Sequence, residues 1–154
     1  MPRITRKLEF DAGHRVLGHE GKCRHIHGHR YVAEITVDAN QLDDLGRVVD
    51  FSVIKQLVGK WIDEELDHNL LLNSRDPLWQ LFDKAGDRLL LEVLGEKEPF
   101  VMPNGNPTAE NIAAVLYKKA TELLAGKGLS VYRVRLYETP NSWADCDAAE
   151  YPIG

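Results

Sequence analysis

Apolar and polar residues alternate along two stretches in the first part of the chain. Residues 3–14 form one of them, and residues 29–39 form the other. A period of two residues is typical of half-buried strands. Glycines and charges fill the loop between the two stretches, which favours an antiparallel pair. One face of the first predicted strand carries five side chains: Ile4, Leu8, Phe10, Ala12 and His14.

The middle of the chain has the spacing of amphipathic helices. Asp50 is a predicted N-cap, and helical spacing of apolar residues follows as far as the segment LDHN at 66–69. Asp76 and Pro77 predict a second helix start, with proline at the first helical position. A further helix is predicted from about residue 108 to 124, because a breaker-rich loop precedes it and glycine follows it.

Two more alternating stretches close the chain, at residues 129–138 and roughly 142–151. The predicted order is β-β-α-(α)-α-β-β. This order indicates an α+β fold, in which helices cover one face of a four-stranded antiparallel sheet. With 154 residues, we expect a single domain spanning 1–154.

Composition narrows the class of protein. A hydrophobic fraction of 44% and a net charge of −5 predict a soluble globular protein, and they argue against a general nucleic-acid or membrane-surface role. No run reaches the roughly 18 apolar residues of a membrane span. The N-terminus lacks the apolar stretch of a signal peptide, and two cysteines make no disulfide framework. We therefore expect a reduced, cytoplasmic protein.

Three of the six histidines lie at alternate positions in CRHIHGHR, residues 23–30. Strand residues two apart face the same way, so one adjacent pair can share an ion, either His25 with His27 or His27 with His29. His14, at the end of the first predicted strand, is the expected third ligand. Three histidines leave one coordination position free, as in catalytic zinc sites. The alternative is a set of surface histidines in a polar loop.

Cys23 directly precedes these histidines and lies between Lys22 and Arg24, whose charges favour a thiolate. It is a candidate fourth zinc ligand, or a base or nucleophile beside the metal. The bland alternative is a buried, inert thiol. Spacing alone does not decide among these roles.

Five motifs, taken in chain order, resemble those of one protein family: FDAGHR, KCRHIHGH, LDHN, NPTAEN and YETP. Together they are similar to the 6-pyruvoyl-tetrahydropterin synthase / 6-carboxy-tetrahydropterin synthase family over nearly the whole chain. The resemblance implies the tunnelling fold (T-fold), which agrees with the predicted order of elements. It also implies that His14, His27 and His29 bind zinc, which selects the second of the two histidine pairs.

The resemblance implies catalytic roles as well. Cys23 would be the catalytic base, Asp67 and His68 an acid–base pair, and Glu138 the carboxylate that anchors a pterin ring. Neighbouring side chains diverge on a regular helix, so we expect Asp67 and His68 at a helix end or turn, or acting on different groups. The alternative is that both residues simply form a polar helix C-terminus, where the helix dipole favours histidine. Glu138 would accept two N–H bonds if it lies in a pocket, and would be solvated if it lies at an edge.

By this resemblance, the chain would be a zinc-dependent lyase. It would convert 7,8-dihydroneopterin triphosphate to 6-carboxy-5,6,7,8-tetrahydropterin, acetaldehyde and triphosphate in queuosine (7-deazapurine) biosynthesis. Three residues separate the cysteine from HGH, a spacing similar to that of bacterial 6-carboxy enzymes. One alternative is 6-pyruvoyl-tetrahydropterin synthase, which eliminates the triphosphate and rearranges the side chain. The other is a non-catalytic paralogue that binds zinc or a pterin.

The resemblance further implies a homohexamer built as a dimer of trimers, with active sites at subunit interfaces. Cys23 and the Asp67/His68 pair would then come from different subunits. A small-molecule pterin is the expected partner, with neither nucleic acid nor membrane. Residues 73–101 depart from the compact bacterial pattern. We predict that they form an extra helical segment, which would cover the active site or an oligomer face.

Overall fold

The computed structural model describes residues 1–150, and its two longest strands form an antiparallel hairpin. β1 is Arg3–His14 and β2 is His27–Asp38. Their register pairs Phe10 with Tyr31, Ala12 with His29 and His14 with His27. The alternation of residues therefore predicted these strands correctly, and it places the histidines at one end of the hairpin.

The sheet continues on both sides of this hairpin. β3 is Asn69–Asn73, β4 is Phe100–Met102, β5 is Ser130–Thr139 and β6 is Ser142–Asp147. The strand order is β4-β3-β1-β2-β5-β6. β5 pairs antiparallel with β2, and β6 pairs antiparallel with β5, which agrees with the antiparallel character predicted for this part of the sheet. The last predicted stretch ran to residue 151, which lies outside the described residues.

The prediction of four strands is wrong, because β3 and β4 extend the sheet to six. β3 runs parallel to β1, and β4 runs parallel to β3. β3 is a short apolar run, NLLLN, in which Leu71 and Leu72 are both fully buried. A strand buried on both faces has no alternation, so its sequence does not separate it from a buried turn of helix.

Four helical segments connect these strands. We name as α1 the continuous run of Phe51–Ile54, Lys55–Gly59 and Lys60–Glu65, whose middle part has π-helical hydrogen bonding. α2 is Pro77–Ala85 and α4 is Ala109–Leu124. α3 comprises Asp87–Leu89 and the π-helical Leu90–Leu94. Short 3-10 turns occupy Lys22–Arg24 and Ala125–Lys127.

Side-chain caps define where three of these helices begin. Asp50 accepts a hydrogen bond from the Ser52 N–H, and Asp76 accepts one from the Leu78 N–H. Thr108 caps α4 by accepting a hydrogen bond from the Asn111 N–H. These side chains satisfy N–H groups that have no partner inside the helix, so the predicted starts are confirmed.

The core lies between one face of the sheet and two helices, α1 and α4. Strand residues such as Phe10, Ile35 and Val134 are fully buried against helix residues such as Ile54 and Leu116. Burying such side chains removes apolar surface from water and stabilises the fold. Among the described residues, no helix combines the length and the apolar character needed to cross a bilayer.

A buried ion pair ties the segment at 73–101 to the end of β1. The Asp76 carboxylate is fully buried, and the Arg15 Nε lies 2.6 Å from its Oδ2. The Arg15 Nη2 donates to the other oxygen, so the pair is bidentate. Burial of Asp76 opposes ionisation, but the hydrogen bonds from Arg15 and from the Leu78 N–H outweigh it and lower the pKa of this carboxyl.

Asp76→Ala is expected to lower the free energy of unfolding by about 3 kcal/mol, because it removes both a buried ion pair and a helix cap. Denaturant titration of the variant and the wild type measures this difference. Asp83→Ala is the matched control, since Asp83 is exposed on the same helix. An equal loss in the two variants would contradict a special role for Asp76.

Candidate active site

Three histidine side chains converge where β1 and β2 meet at the end of the hairpin. His14, His27 and His29 each offer a ligand atom, and these atoms lie within 4.8 Å of one another. The Nε2 atoms of His14 and His27 are 3.1 Å apart. His25 is exposed and lies outside this group. The structure thus brings together the histidine pair that the family resemblance selects.

Backbone carbonyls determine which nitrogen of two rings carries the proton. The His14 Nδ1 lies 2.7 Å from the Pro107 carbonyl oxygen, and the His27 Nδ1 lies 2.7 Å from the His25 carbonyl oxygen. A carbonyl oxygen only accepts, so both Nδ1 atoms must donate. When both rings are neutral, their Nε2 atoms present lone pairs to each other, and a cation between them relieves this repulsion.

Burial keeps two of the rings neutral. It lowers the pKa of His14, although the hydrogen bond to Pro107 opposes the effect. Burial also lowers the pKa of His29, and the neighbouring His27 ring contributes to the same shift. A neutral imidazole is the form that binds a metal.

These residues fit zinc. The His29 Nε2 is buried and has no hydrogen-bond partner among the described residues. Together with the facing Nε2 atoms of His14 and His27, it completes a set of three imidazole nitrogen donors. Three histidine ligands with an open fourth position are typical of catalytic zinc.

Glu138, near the end of β5, lies next to this cluster. Its Oε1 is 3.4 Å from the His29 Nε2, and its side chain is 25% exposed. Glu138 and His29 both line a cleft of about 730 Å³, whose wall continues along Tyr137 and Pro140. The carboxylate therefore lies at a cleft of a size suited to a small ligand rather than on an open edge.

Cys23 lies in the 3-10 turn of the loop that joins β1 and β2. Its side chain is partly buried and its thiol is free. The Val16 N–H donates to the Cys23 carbonyl at 2.8 Å, which folds the loop back toward the end of β1. Cys146, the other free thiol, is buried in β6, and burial raises its pKa to about 11. Only Cys23 is therefore accessible for proton transfer.

Asp67 and His68 form a hydrogen-bonded pair in the turn between α1 and β3. The His68 Nδ1 lies 2.8 Å from the Asp67 Oδ2. The Asp11 N–H donates to the other Asp67 oxygen at 2.9 Å. Burial of Asp67 opposes ionisation, but hydrogen bonds from the Asp11 N–H and from His68 outweigh it and lower the pKa of Asp67.

A left-handed backbone conformation makes this pairing of neighbours possible. His68 has φ of +54°, and its N–H donates to the Asp11 carbonyl at 2.6 Å. Such a conformation is uncommon for a residue other than glycine, and it often marks functional sites. The His68 side chain is 77% exposed, so the ring edge away from Asp67 faces solvent.

The fold of the single chain does not join this pair to Cys23. Within the described residues, no hydrogen bond links Asp67 or His68 to Cys23 or to the three histidines. His68 and His29 do line a second cleft of about 730 Å³. The segment at 73–101 supplies an apolar wall of this cleft through Leu78, Phe82, Val93 and Leu94.

A family model described as 6-pyruvoyl tetrahydropterin synthase matches residues 3–149. The chain belongs to this family. A curated relative from Rickettsia felis, named 6-carboxy-5,6,7,8-tetrahydropterin synthase, is 44% identical over 146 residues. That match covers 94% of this chain and 99% of the relative.

Solved structures share the fold of this chain. An uncharacterised protein of Wolinella succinogenes aligns with a TM-score of 0.79 at 27% identity, covering 95% of this chain and 97% of that one. The 6-pyruvoyl tetrahydropterin synthase of Caenorhabditis elegans aligns with a TM-score of 0.62 at 22% identity, covering 96% of each chain. The α+β fold of this chain is therefore shared with a solved 6-pyruvoyl tetrahydropterin synthase.

Asn106, to which the sequence analysis assigned no role, stabilises the loop whose backbone carbonyl bonds to His14. Asn106 accepts from the Leu17 N–H at 3.0 Å and donates to the Leu17 carbonyl at 2.9 Å. The Asn73 amide also donates to the Asn106 Oδ1 at 3.0 Å. These bonds hold the loop at the point where the Pro107 carbonyl accepts from His14. Asn106 is the first residue of the motif NPTAEN, but the motif does not predict its contact with Leu17, 89 residues away in the chain.

Asn106→Ala is expected to weaken zinc binding by up to roughly 10-fold, the lower end of the cost of losing an outer partner of a metal ligand, because Asn106 acts on His14 only through the position of Pro107. Competition with a chromophoric chelator measures the change. Asn104→Ala is the matched control, because Asn104 lies on the same loop with an exposed side chain. Unchanged zinc affinity in Asn106→Ala would show that Pro107 keeps its place without the amide.

Proposed function

We propose that this chain is a zinc-dependent lyase that converts 7,8-dihydroneopterin triphosphate, with water, to 6-carboxy-5,6,7,8-tetrahydropterin, acetaldehyde and triphosphate. The product is an intermediate of queuosine (7-deazapurine) biosynthesis. Family membership and the 44% identity to a relative named 6-carboxy-5,6,7,8-tetrahydropterin synthase support this activity. The observation that carries it is the cluster of three histidines with a carboxylate beside it at a cleft.

Each residue of the site has a chemical task in this reaction. Zinc held by His14, His27 and His29 would polarise the side-chain hydroxyls of the substrate and make the adjacent C–H bond more acidic. The Glu138 carboxylate would accept two N–H bonds from the guanidine-like edge of the pterin, which orients the ring. Cys23 would act as the base that accepts the carbon-bound proton.

The Asp67/His68 pair would move protons at a second position. The hydrogen bond to Asp67 orients the His68 ring. The exposed ring edge can then exchange a proton with the substrate. A negatively charged Asp67 is favoured because hydrogen bonds lower its pKa.

We also propose a tunnelling-fold homohexamer, a dimer of trimers, with active sites at subunit interfaces. Among the described residues, no hydrogen bond links the Asp67/His68 pair to Cys23 within one chain, which is compatible with the two groups acting from different subunits. Light scattering on the purified protein tests it, and a monomer would contradict it. Two free thiols are in keeping with a reducing, cytoplasmic location, which we propose as well.

A product assay tests the proposed activity. The zinc-loaded protein is incubated with 7,8-dihydroneopterin triphosphate, and the products are identified by mass spectrometry. The carboxy-pterin together with acetaldehyde is the expected result. A pyruvoyl-pterin would instead favour the activity named in the family description and in the C. elegans structure. Absence of turnover would indicate a binding paralogue.

A further inference from the structure

Tyr31 lies directly beneath the three-histidine cluster, and the mechanism above gives it no task. It pairs with Phe10 across β1 and β2, and the two rings are stacked with centroids 5.1 Å apart. The edges of the His14 and His29 rings meet it at centroid distances of 5.9 and 5.6 Å. Its position in the alternating strand predicted a core side chain, and its whole side chain is indeed buried.

The phenol oxygen of Tyr31 has an unusual environment. It is buried, and it has no hydrogen-bond partner among the described residues. Leaving a buried hydroxyl unpaired is unfavourable, and tyrosine hydroxyls in protein interiors usually find a partner. Phenylalanine would keep the stacking on Phe10 without this cost, so packing alone does not account for the hydroxyl.

The position of Tyr31 on β2 places its ring beside the three-histidine cluster. Tyr31 has the same parity on β2 as His27 and His29, so the three side chains share one face of the sheet. Val32, the residue after Tyr31, pairs with Tyr137, the residue before Glu138. A phenol hydroxyl can donate a hydrogen bond as well as accept one.

We propose that Tyr31 is a substrate-contacting residue, whose buried hydroxyl donates a hydrogen bond to a side-chain oxygen of the pterin ligand at the three-histidine site. The inference rests on the proposed function, because it needs a pterin that carries side-chain hydroxyls. Such an oxygen would supply the hydrogen-bond acceptor that the Tyr31 hydroxyl lacks among the described residues. The contact favours pterins that carry side-chain hydroxyls over pterins that lack them, so Tyr31 contributes to specificity as well as to orientation.

Isothermal titration of the zinc-loaded protein with two non-reacting ligands tests this contact. Neopterin carries the side-chain hydroxyls, whereas unsubstituted pterin lacks them and still offers the ring edge to Glu138. Tyr31→Phe is expected to weaken neopterin binding about tenfold, the effect of one hydrogen bond to a buried donor. It should leave pterin binding, zinc content and the melting temperature unchanged or slightly raised.

Tyr132→Phe is the matched control, because Tyr132 lies exposed on β5. Equal neopterin affinity in the wild type and in Tyr31→Phe would overturn the inference while leaving the proposed function intact. An equal loss for both ligands, or a lower melting temperature, would show a structural role and would also overturn it. Failure of the wild type to bind neopterin would overturn the proposed function and this inference together.

Discussion

Cys23→Ala is expected to lower turnover of 7,8-dihydroneopterin triphosphate about 1000-fold and to leave zinc bound. A positioned general base typically contributes this much to a rate, and alanine cannot accept a proton. The three histidines form a complete donor set without the thiol, so the metal should stay. Steady-state kinetics and metal analysis on the same preparation measure both effects.

Cys146→Ala is the control for the loss of a thiol. Cys146 is buried in β6 and its raised pKa keeps it protonated, so turnover should stay within a few-fold of the wild type. Loss of zinc from Cys23→Ala would identify Cys23 as a ligand and would contradict its assignment as the base. Full activity without zinc loss would remove it from the chemistry altogether.

His27→Ala is expected to reduce zinc affinity roughly 1000-fold or more, beyond the 10- to 100-fold cost of losing an outer partner. The variant removes one of three donors and leaves the His14 Nε2 without its neighbour. Activity should fall to background at zinc concentrations that saturate the wild type. Chelator competition gives the affinity, and activity regained at high zinc concentration would tie the two losses together.

His25→Ala is a close control for this variant. His25 is exposed, and only its backbone carbonyl accepts the hydrogen bond from His27. The substitution keeps that carbonyl, so zinc affinity should stay unchanged. A large loss of zinc in His25→Ala would contradict the ligand set and would favour the alternative histidine pair.

Local periodicity was sufficient for much of the fold. Apolar and polar residues alternate along β1 and β2 because one face of each strand packs on helices and the other does not. Every second residue therefore shows which face is buried. The helix starts at Asp50, Asp76 and Thr108 were equally predictable, since a cap acts on N–H groups two or three residues away. β3 was not predicted, because a strand buried between its neighbours shows no alternation of apolar and polar residues.

The candidate site depended more on contacts between distant residues. Alternation allowed two histidine pairs, and only the register of β1 on β2, with His14 opposite His27, brings one particular set together in the structure. The pairing of Asp67 with His68 required a left-handed backbone conformation at His68, which no local sequence pattern predicts. The support of the loop by Asn106 depends on a partner 89 residues away.

The sequence by itself determined the antiparallel hairpin, the helix starts, the residue types of the site and the resemblance to the family. Those features arise from interactions between near neighbours or from motifs that stay recognisable in one chain. Only the tertiary structure decided the two added parallel strands, the convergence of His14 with His27 and His29, and the unpaired hydroxyl of Tyr31 beneath them. Whether a buried polar atom is satisfied depends on every group around it, and packing of the whole chain determines which groups those are.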